Sequence, residues 1–269
     1  MRPTLADEQQ QVSAGSVELT YARYAGGVPQ ITSRRVAREA PVTLFVNGQE
    51  WVTLMCTPSE LNYLAVGFLS SEGLISGLSD IALLRVCEEV EGEIHIQLIR
   101  EANLPSRRVL TSGCGGGVTF AGLADQREPI TCSRRLSPVQ VLKLVADLQQ
   151  ASELHNQAGG VHTSALSDGE RLLIVAEDVG RHNTLDKILG RCLFTGQDTT
   201  GQILLTTGRI STEMLTKAAH MEVPVVISRT SPTDLAVRLA RAWGITLVGY
   251  VRGGNFNVYS GEWRISDSG

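Results

Sequence analysis

An α/β fold preceded by a smaller α+β unit follows from three observations. Residues 184–250 alternate helical and strand patterns, as expected of a sheet with helices on both faces. The first hundred residues read instead as a hairpin, one helix and two more strands. Two strings, Thr57-Pro58-Ser59-Glu60 and Ser137-Pro138-Val139-Gln140, carry the cap, proline and N3 Glu/Gln of a helix start.

In chain order, residues 6–11 are polar and read as the solvated part of a tail over 1–15. Residues 42–55 alternate apolar and polar types around Asn47-Gly48, a pair suited to positive φ in a two-residue hairpin turn. A helix capped by Thr57 is expected to carry the apolar stretch 61–69. Strands follow at 81–88 and 93–100 about a Gly92 turn. After Ser137 an amphipathic helix over 141–154 is expected, then a hairpin pairing 161–166 with 172–177 around Asp168-Gly169. The alternation continues with a helix at 184–192, a strand at 203–206, a helix at 212–221 and a strand at 223–227. It closes with a helix at 233–243 and strands at 245–250 and 256–259. The change of pattern puts a boundary near residues 101–108, separating a domain at 16–105 from one at 106–269.

Composition excludes several classes. In 269 residues, 42% hydrophobic and 19% charged is globular, and no run approaches the roughly 18 to 20 apolar residues of a membrane helix. With no basic-then-apolar leader, a cytoplasmic protein is expected. A net charge of −4 offers no bulk attraction to nucleic acid, which is not expected as a partner. Five cysteines, at 56, 87, 114, 132 and 192, are odd in number and scattered, unlike a disulfide framework.

Five segments could carry chemistry. Ser112-Gly113-Cys114-Gly115-Gly116-Gly117 puts a cysteine in a glycine-rich loop after a strand at 107–110, where backbone N–H groups can favour the nucleophilic thiolate. A tight turn with an incidental cysteine is the equal alternative. Cys56, Cys87 and Cys192 read as small buried hydrophobes, and Cys132 as incidental. Glu177-Asp178-Val179-Gly180-Arg181-His182-Asn183 follows a strand and opens a helix, a place that favours anions; a buried polar network fixing the turn is the competing reading. His162 begins a strand after two glycines, and Arg209 sits among hydroxyls at another strand-to-helix corner. Finally, Tyr250-Val251-Arg252-Gly253-Gly254-Asn255 either lets a backbone approach a flat or anionic ligand or simply makes a tight turn. The ends of successive α/β strands converge on one rim, where such sheets bind ligands. The P-C-x-x-C element that a zinc deaminase needs, the Walker A string and G-x-G-x-x-G are all absent.

Taken in order, these motifs resemble the FdhD family of formate dehydrogenase accessory sulfurtransferases. The resemblance rests on Val46-Asn47-Gly48, Gly67-Phe68-Leu69-Ser70-Ser71-Glu72-Gly73, the Cys114 loop, Gly159-Gly160-Val161-His162 and the 177–183 segment. It continues through Asp186-Lys187, Gly208-Arg209, Glu213-Met214, Lys217-Ala218 and Leu247-Val248-Gly249-Tyr250. It implies a three-layer α/β/α cytidine-deaminase-like core without the deaminase zinc, a smaller N-terminal α+β domain, and a homodimer.

The resemblance further implies a sulfur carrier of sulfurtransferase type. Such a protein takes persulfide sulfur from a cysteine desulfurase and passes it to a molybdenum bis(guanine dinucleotide) cofactor, held as client, for formate dehydrogenase or a related molybdoenzyme. Cys114 matches the first cysteine of the family's C-x-x-C loop, and Gly117 stands at the second. Residues Tyr250, Val251, Arg252, Gly253, Gly254 and Asn255 match the segment associated with the guanine dinucleotide. His162, Asp178, Arg181, His182 and Arg209 are candidate pocket residues. The alternative that Gly117 raises is a chaperone that binds the cofactor without using Cys114 covalently. A deaminase-like hydrolase would need zinc, and no zinc is expected.

Overall fold

The computed structural model describes residues 15–87, 92–101, 104, 109–110, 118–119 and 127–266. The expected boundary at 105–106 lies outside the described residues, as do 1–14 of the expected tail. Gly15, the tail's last residue, is buried, and its carbonyl accepts from the Arg38 N–H.

Two strands over residues that carried no strand expectation come first, β1 (Ser16–Ala25) and β2 (Val28–Ala37), an antiparallel ribbon turning at Gly26 and Gly27, both at positive φ. It leaves large apolar side chains on the surface, Ile31 being 77% exposed, although Val17, Leu19 and Tyr21 alternate with polar residues along β1. Next come β3 (Ala40–Val46) and β4 (Gln49–Cys56), joined by Asn47 (φ 52°) and Gly48 (φ 78°) as the hairpin motif predicts. With β5 (Ile81–Val86) and β6 (Glu93–Leu98) they form a four-stranded sheet in the order β4-β3-β6-β5. One face is covered by α1 (Leu61–Ser71), whose Leu64, Phe68 and Leu69 pack on Val42, Leu44, Ile94 and Ile96.

Thr57 does not cap α1. The helix starts at Leu61 after Glu60 in the left-handed region, and Thr57 is spent on a long-range junction described below.

Beyond the short antiparallel pair β7 (Val109–Leu110) and β8 (Val118–Thr119), α2 (Pro138–Gln150) begins with the capping box expected of Ser137 and Gln140. The expected helix over 141–154 is broken at Ser152, whose hydroxyl donates back to the Leu148 carbonyl, and α3 (Glu153–Ala158) follows.

The remaining chain builds a six-stranded sheet ordered β10-β9-β11-β12-β13-β14. Its strands are β9 (His162–Ser167), β10 (Leu172–Asp178), β11 (Ile203–Thr206), β12 (Val225–Ser228), β13 (Thr246–Arg252) and β14 (Asn255–Ser260). Pairing is parallel along β11, β12 and β13, and antiparallel elsewhere. Interleaved are α4 (Arg181–Thr195), α5 (Thr212–His220) and α6 (Asp234–Ala242). Successive residues of a strand point to opposite faces, and here both faces are buried. Ile203, Leu205, Val225 and Ile227 meet α2, whereas Leu204, Val226 and Leu247 meet α4, α5 and α6.

The two sheets are joined where α1 crosses α4. A Cβ on Gly67 would overlap the Asp186 carbonyl, and one on Gly190 would overlap that of Tyr63, so the helix backbones touch. Neither obstacle is a side chain that can swing away. Replacing Gly67 by Ala is therefore expected to cost about 3 kcal/mol or more, the upper end for overpacking, read as a lowered urea midpoint with unchanged slope.

Candidate functional site

The carboxyl ends of β10, β11, β12 and β13 and the start of β9 form one rim of the large sheet. His162 lies opposite Asp178 across the β9/β10 ladder, and Thr206 lies opposite both Ser164 and Ser228. Just beyond β11 the Thr207 N–H donates to the Thr163 carbonyl of β9, and just beyond β12 the Thr230 carbonyl accepts from the Tyr250 N–H of β13, so the turns stay tied to the neighbouring strands.

Asp178 is not a rim group. It is 0% exposed and ion-paired at 2.7 Å with the equally sequestered Lys187. Its carboxylate also accepts from the Thr57 N–H (3.1 Å), the Gly180 N–H (2.8 Å) and Asn183 Nδ2 (2.8 Å). Lys187 donates further to the carbonyls of Thr57 and Glu177, Asn183 to that of Met55, and the Val179 N–H to Thr57 Oγ1. For Asp178 the competing reading holds: this is a buried network that fixes the strand-to-helix corner. Sequence missed Lys187 and Thr57 as partners, because Thr57 lies 121 residues from Asp178 and nothing local marks the contact.

The corner so fixed delivers Arg181 and His182 at the start of α4. Arg181 is buried beside Gly208, where a Cβ would sit 3.0 Å from the Arg181 Cβ and 3.4 Å from His162 Nδ1. Gly208 therefore leaves the space in which Arg181 and His162 meet. His162 Nδ1 is 3.5 Å from Thr207 Oγ1, and burial, seconded by the Arg181 cation, holds its pKa below the ordinary value. Arg209, the next residue, is exposed.

His182 Nε2 lies 3.6 Å from Glu213 Oε2 and 3.5 Å from Ser211 Oγ, and Ser211 donates to the same carboxylate at 2.6 Å. Ser211 also accepts from the Met214 N–H as the cap of α5. Burial pushes the His182 pKa down, which favours the neutral ring beside Glu213. The adjacent His182 ring, outweighing the opposing burial, together with the Ser211 hydroxyl brings the Glu213 carboxyl down to about 2. Glu213 was legible as the acidic residue at the α5 start, and its pairing with His182 was not.

The segment 250–255 is a tight turn, with Gly253 (φ 58°) and Gly254 (φ 77°) at its centre between β13 and β14. Val251 is 2% exposed and packs in the core, so its side chain is not at the surface. Tyr250, at φ 55° and 37% exposed, has the Arg252 guanidinium 5.2 Å from its ring centre. With Asn255, Phe256 and Asn257 these two line an open concavity of about 400 Å³. Three strand spacings, about 14 Å at roughly 4.8 Å each, separate β9 from β13. The rim thus has two ends, His162 with Arg181 at one and Tyr250 with Arg252 at the other. Cys114 and its loop, 111–117, lie outside the described residues.

Residues 37–266 match the model of the FdhD/NarQ family. The chain is 39% identical over 251 residues to the sulfur carrier protein FdhD of Bacillus subtilis strain 168, covering 91% of this chain and 95% of that one. It is 36% identical over 252 residues to the sulfur carrier protein FdhD of Staphylococcus aureus strain JH9, with the same coverage. A crystal structure from Desulfotalea psychrophila described as a formate dehydrogenase accessory protein superposes with TM-score 0.77 at 28% identity, covering 94% of this chain and all of that one. No helix among the described residues is long and apolar enough to cross a membrane.

Glu213 supplies a pH test of the rim. Its carboxyl falls from an ordinary 4.5 to about 2 in the fold, so its stabilising contribution is complete above about pH 4.5 and lost as pH falls toward 2. Glu213→Gln is expected to lower stability at neutral pH by on the order of 2 to 3 kcal/mol and to flatten the acid limb between those values, measured by denaturant titration across pH.

Proposed function

This chain belongs to the FdhD/NarQ family, and from that premise we propose that it is a cytoplasmic sulfur carrier serving formate dehydrogenase or a related molybdoenzyme. The Cys114 thiolate attacks the outer sulfur of a persulfide on a cysteine desulfurase. The donor's S–S bond breaks, the donor leaves as a thiolate, and Cys114 becomes the persulfide. The outer sulfur then passes to the molybdenum bis(guanine dinucleotide) client: the Cys114 S–S bond breaks, Cys114 leaves as the thiolate, and a reduced cofactor would supply the two electrons that bring the transferred sulfur to sulfide.

The observation that carries this reading is the near full-length match to proteins named as sulfur carriers. Supporting it, the rim offers a partly exposed aromatic ring with a guanidinium beside it at one end, suited to a purine, and a second arginine at the other, suited to a phosphate. In the same reading the six-stranded sheet with its two helical faces is a cytidine-deaminase-like core, and the working form is a homodimer. Tyr250, Arg252, Gly254 and Asn255 meet the guanine dinucleotide. His162, Arg181 and His182 act at the other end of the rim, and Arg209 on its surface. Asp178 positions Arg181 and His182 from behind.

Gly117 favours one second reading, a chaperone that holds the cofactor without a covalent step, because it stands where the family's C-x-x-C loop has its second cysteine. Intact-mass spectrometry after incubation with a cysteine desulfurase and cysteine separates the two. The carrier gains one sulfur atom, and Cys114→Ala abolishes the gain. Native protein that binds cofactor yet gains no sulfur would leave only the chaperone.

A further inference from the structure

Cys87 departs from its expected burial. It is only partly buried, because β5 is an edge strand and the face of the four-stranded sheet opposite α1 has no helix on it among the described residues. The β5/β6 register pairs Val86 with Ile94 and Arg85 with His95, and the Cys87 N–H donates to the Glu93 carbonyl at 3.0 Å. Side chains two apart on a strand share a face. Cys87 and Glu93 therefore stand opposite one another, with His95 next along the same face, while Ile94 and Ile96 turn into the core.

One donor atom from each of Cys87, Glu93 and His95 falls within 4.8 Å of the other two. His95 Nε2 is already 3.1 Å from Glu93 Oε2. Phe45, opposite His95 on β3, stacks on the imidazole with centroids 4.7 Å apart and planes 6° from parallel, which holds the ring upright. The set thus has two of its three donors close and one ring fixed before any ligand arrives.

We infer that Cys87, Glu93 and His95 form a binding site for a zinc-class divalent cation on the open face of the N-terminal sheet. Donors around tetrahedral zinc, at about 2.0 to 2.3 Å from the metal, lie about 3.3 to 3.8 Å apart. A small turn of the half-buried Cys87 and Glu93 side chains brings the three to that spacing, with the fourth position left to water. A thiolate and an imidazole select zinc and its transition-metal neighbours over magnesium or calcium. Binding releases the thiol proton, and thiolate plus carboxylate supply two negative charges against the one positive charge of Arg85 across the strand. The site lies on a different sheet from the rim, and the inference is independent of the sulfur-carrier reading.

The test is a cobalt(II) titration of the reduced, chelator-treated full chain, followed by absorbance and by competition with zinc. One cobalt per chain is expected, with a thiolate-to-cobalt charge-transfer band that zinc abolishes. Cys87→Ser and His95→Gln should each weaken binding at least about tenfold, and Cys114→Ala should leave it unchanged. His95→Gln keeps every thiol and so serves where the serine variant folds poorly, with circular dichroism as the check. Absence of the band in the native protein, its persistence at full affinity in His95→Gln, or its loss in Cys114→Ala would each overturn the site.

Discussion

The Asp178–Lys187 pair is the interaction on which the arrangement of this protein depends. Both groups are out of water, and such a pair adds little net stability by itself, because the desolvation of two charges offsets their attraction. Its importance lies in what it forbids. Two buried charges must keep each other and their hydrogen-bond partners, and those partners come from both parts of the chain: Thr57 after β4, and Gly180 and Asn183 at the start of α4. The end of the small sheet and the strand-to-helix corner of the large one are therefore fixed by the same carboxylate.

A second constraint acts nearby. At the α1/α4 crossing Gly67 and Gly190 remove the Cβ atoms that would hold the backbones apart, and Lys217, paired with Asp186, lies over the Phe68 ring. Charge satisfaction and close packing thus meet on one helix, α4, whose first residues reach the rim. Arg181 and His182 owe their places to that anchorage, and Gly208 makes the room for them on the neighbouring turn.

Much of this was legible in the sequence, and the exceptions have a common cause. Local signals carried through wherever one segment decides its own structure: the Asn47-Gly48 hairpin, the Ser137 capping box, the alternation from β11 to β13, and the gathering of strand ends on one rim. They failed where distant residues compete for a group. Thr57 carries a cap signature, yet its backbone N–H and hydroxyl are engaged at the Asp178 corner. Asp178 reads as a site acid because polarity is visible in a sequence and burial is not. The β1/β2 ribbon alternates Val17, Leu19 and Tyr21 with polar residues on β1 but opposes them with Val36, Arg34 and Thr32 on β2, so only one of its strands carries a pattern, and Cys87 looked like a core residue because its edge position is a property of the sheet.

The functional account joins two parts, a loop cysteine that carries sulfur and a rim that holds the cofactor which receives it. They are separable by experiment, since only the second uses Arg252. The direct measurement follows labelled sulfur from a desulfurase onto the protein and then into apo formate dehydrogenase, comparing native chain with Arg252→Ala. The account predicts that the variant loads sulfur as the native protein does and delivers little of it. Delivery at the native rate would contradict the assignment of the 250–255 turn to cofactor binding and with it the two-part account.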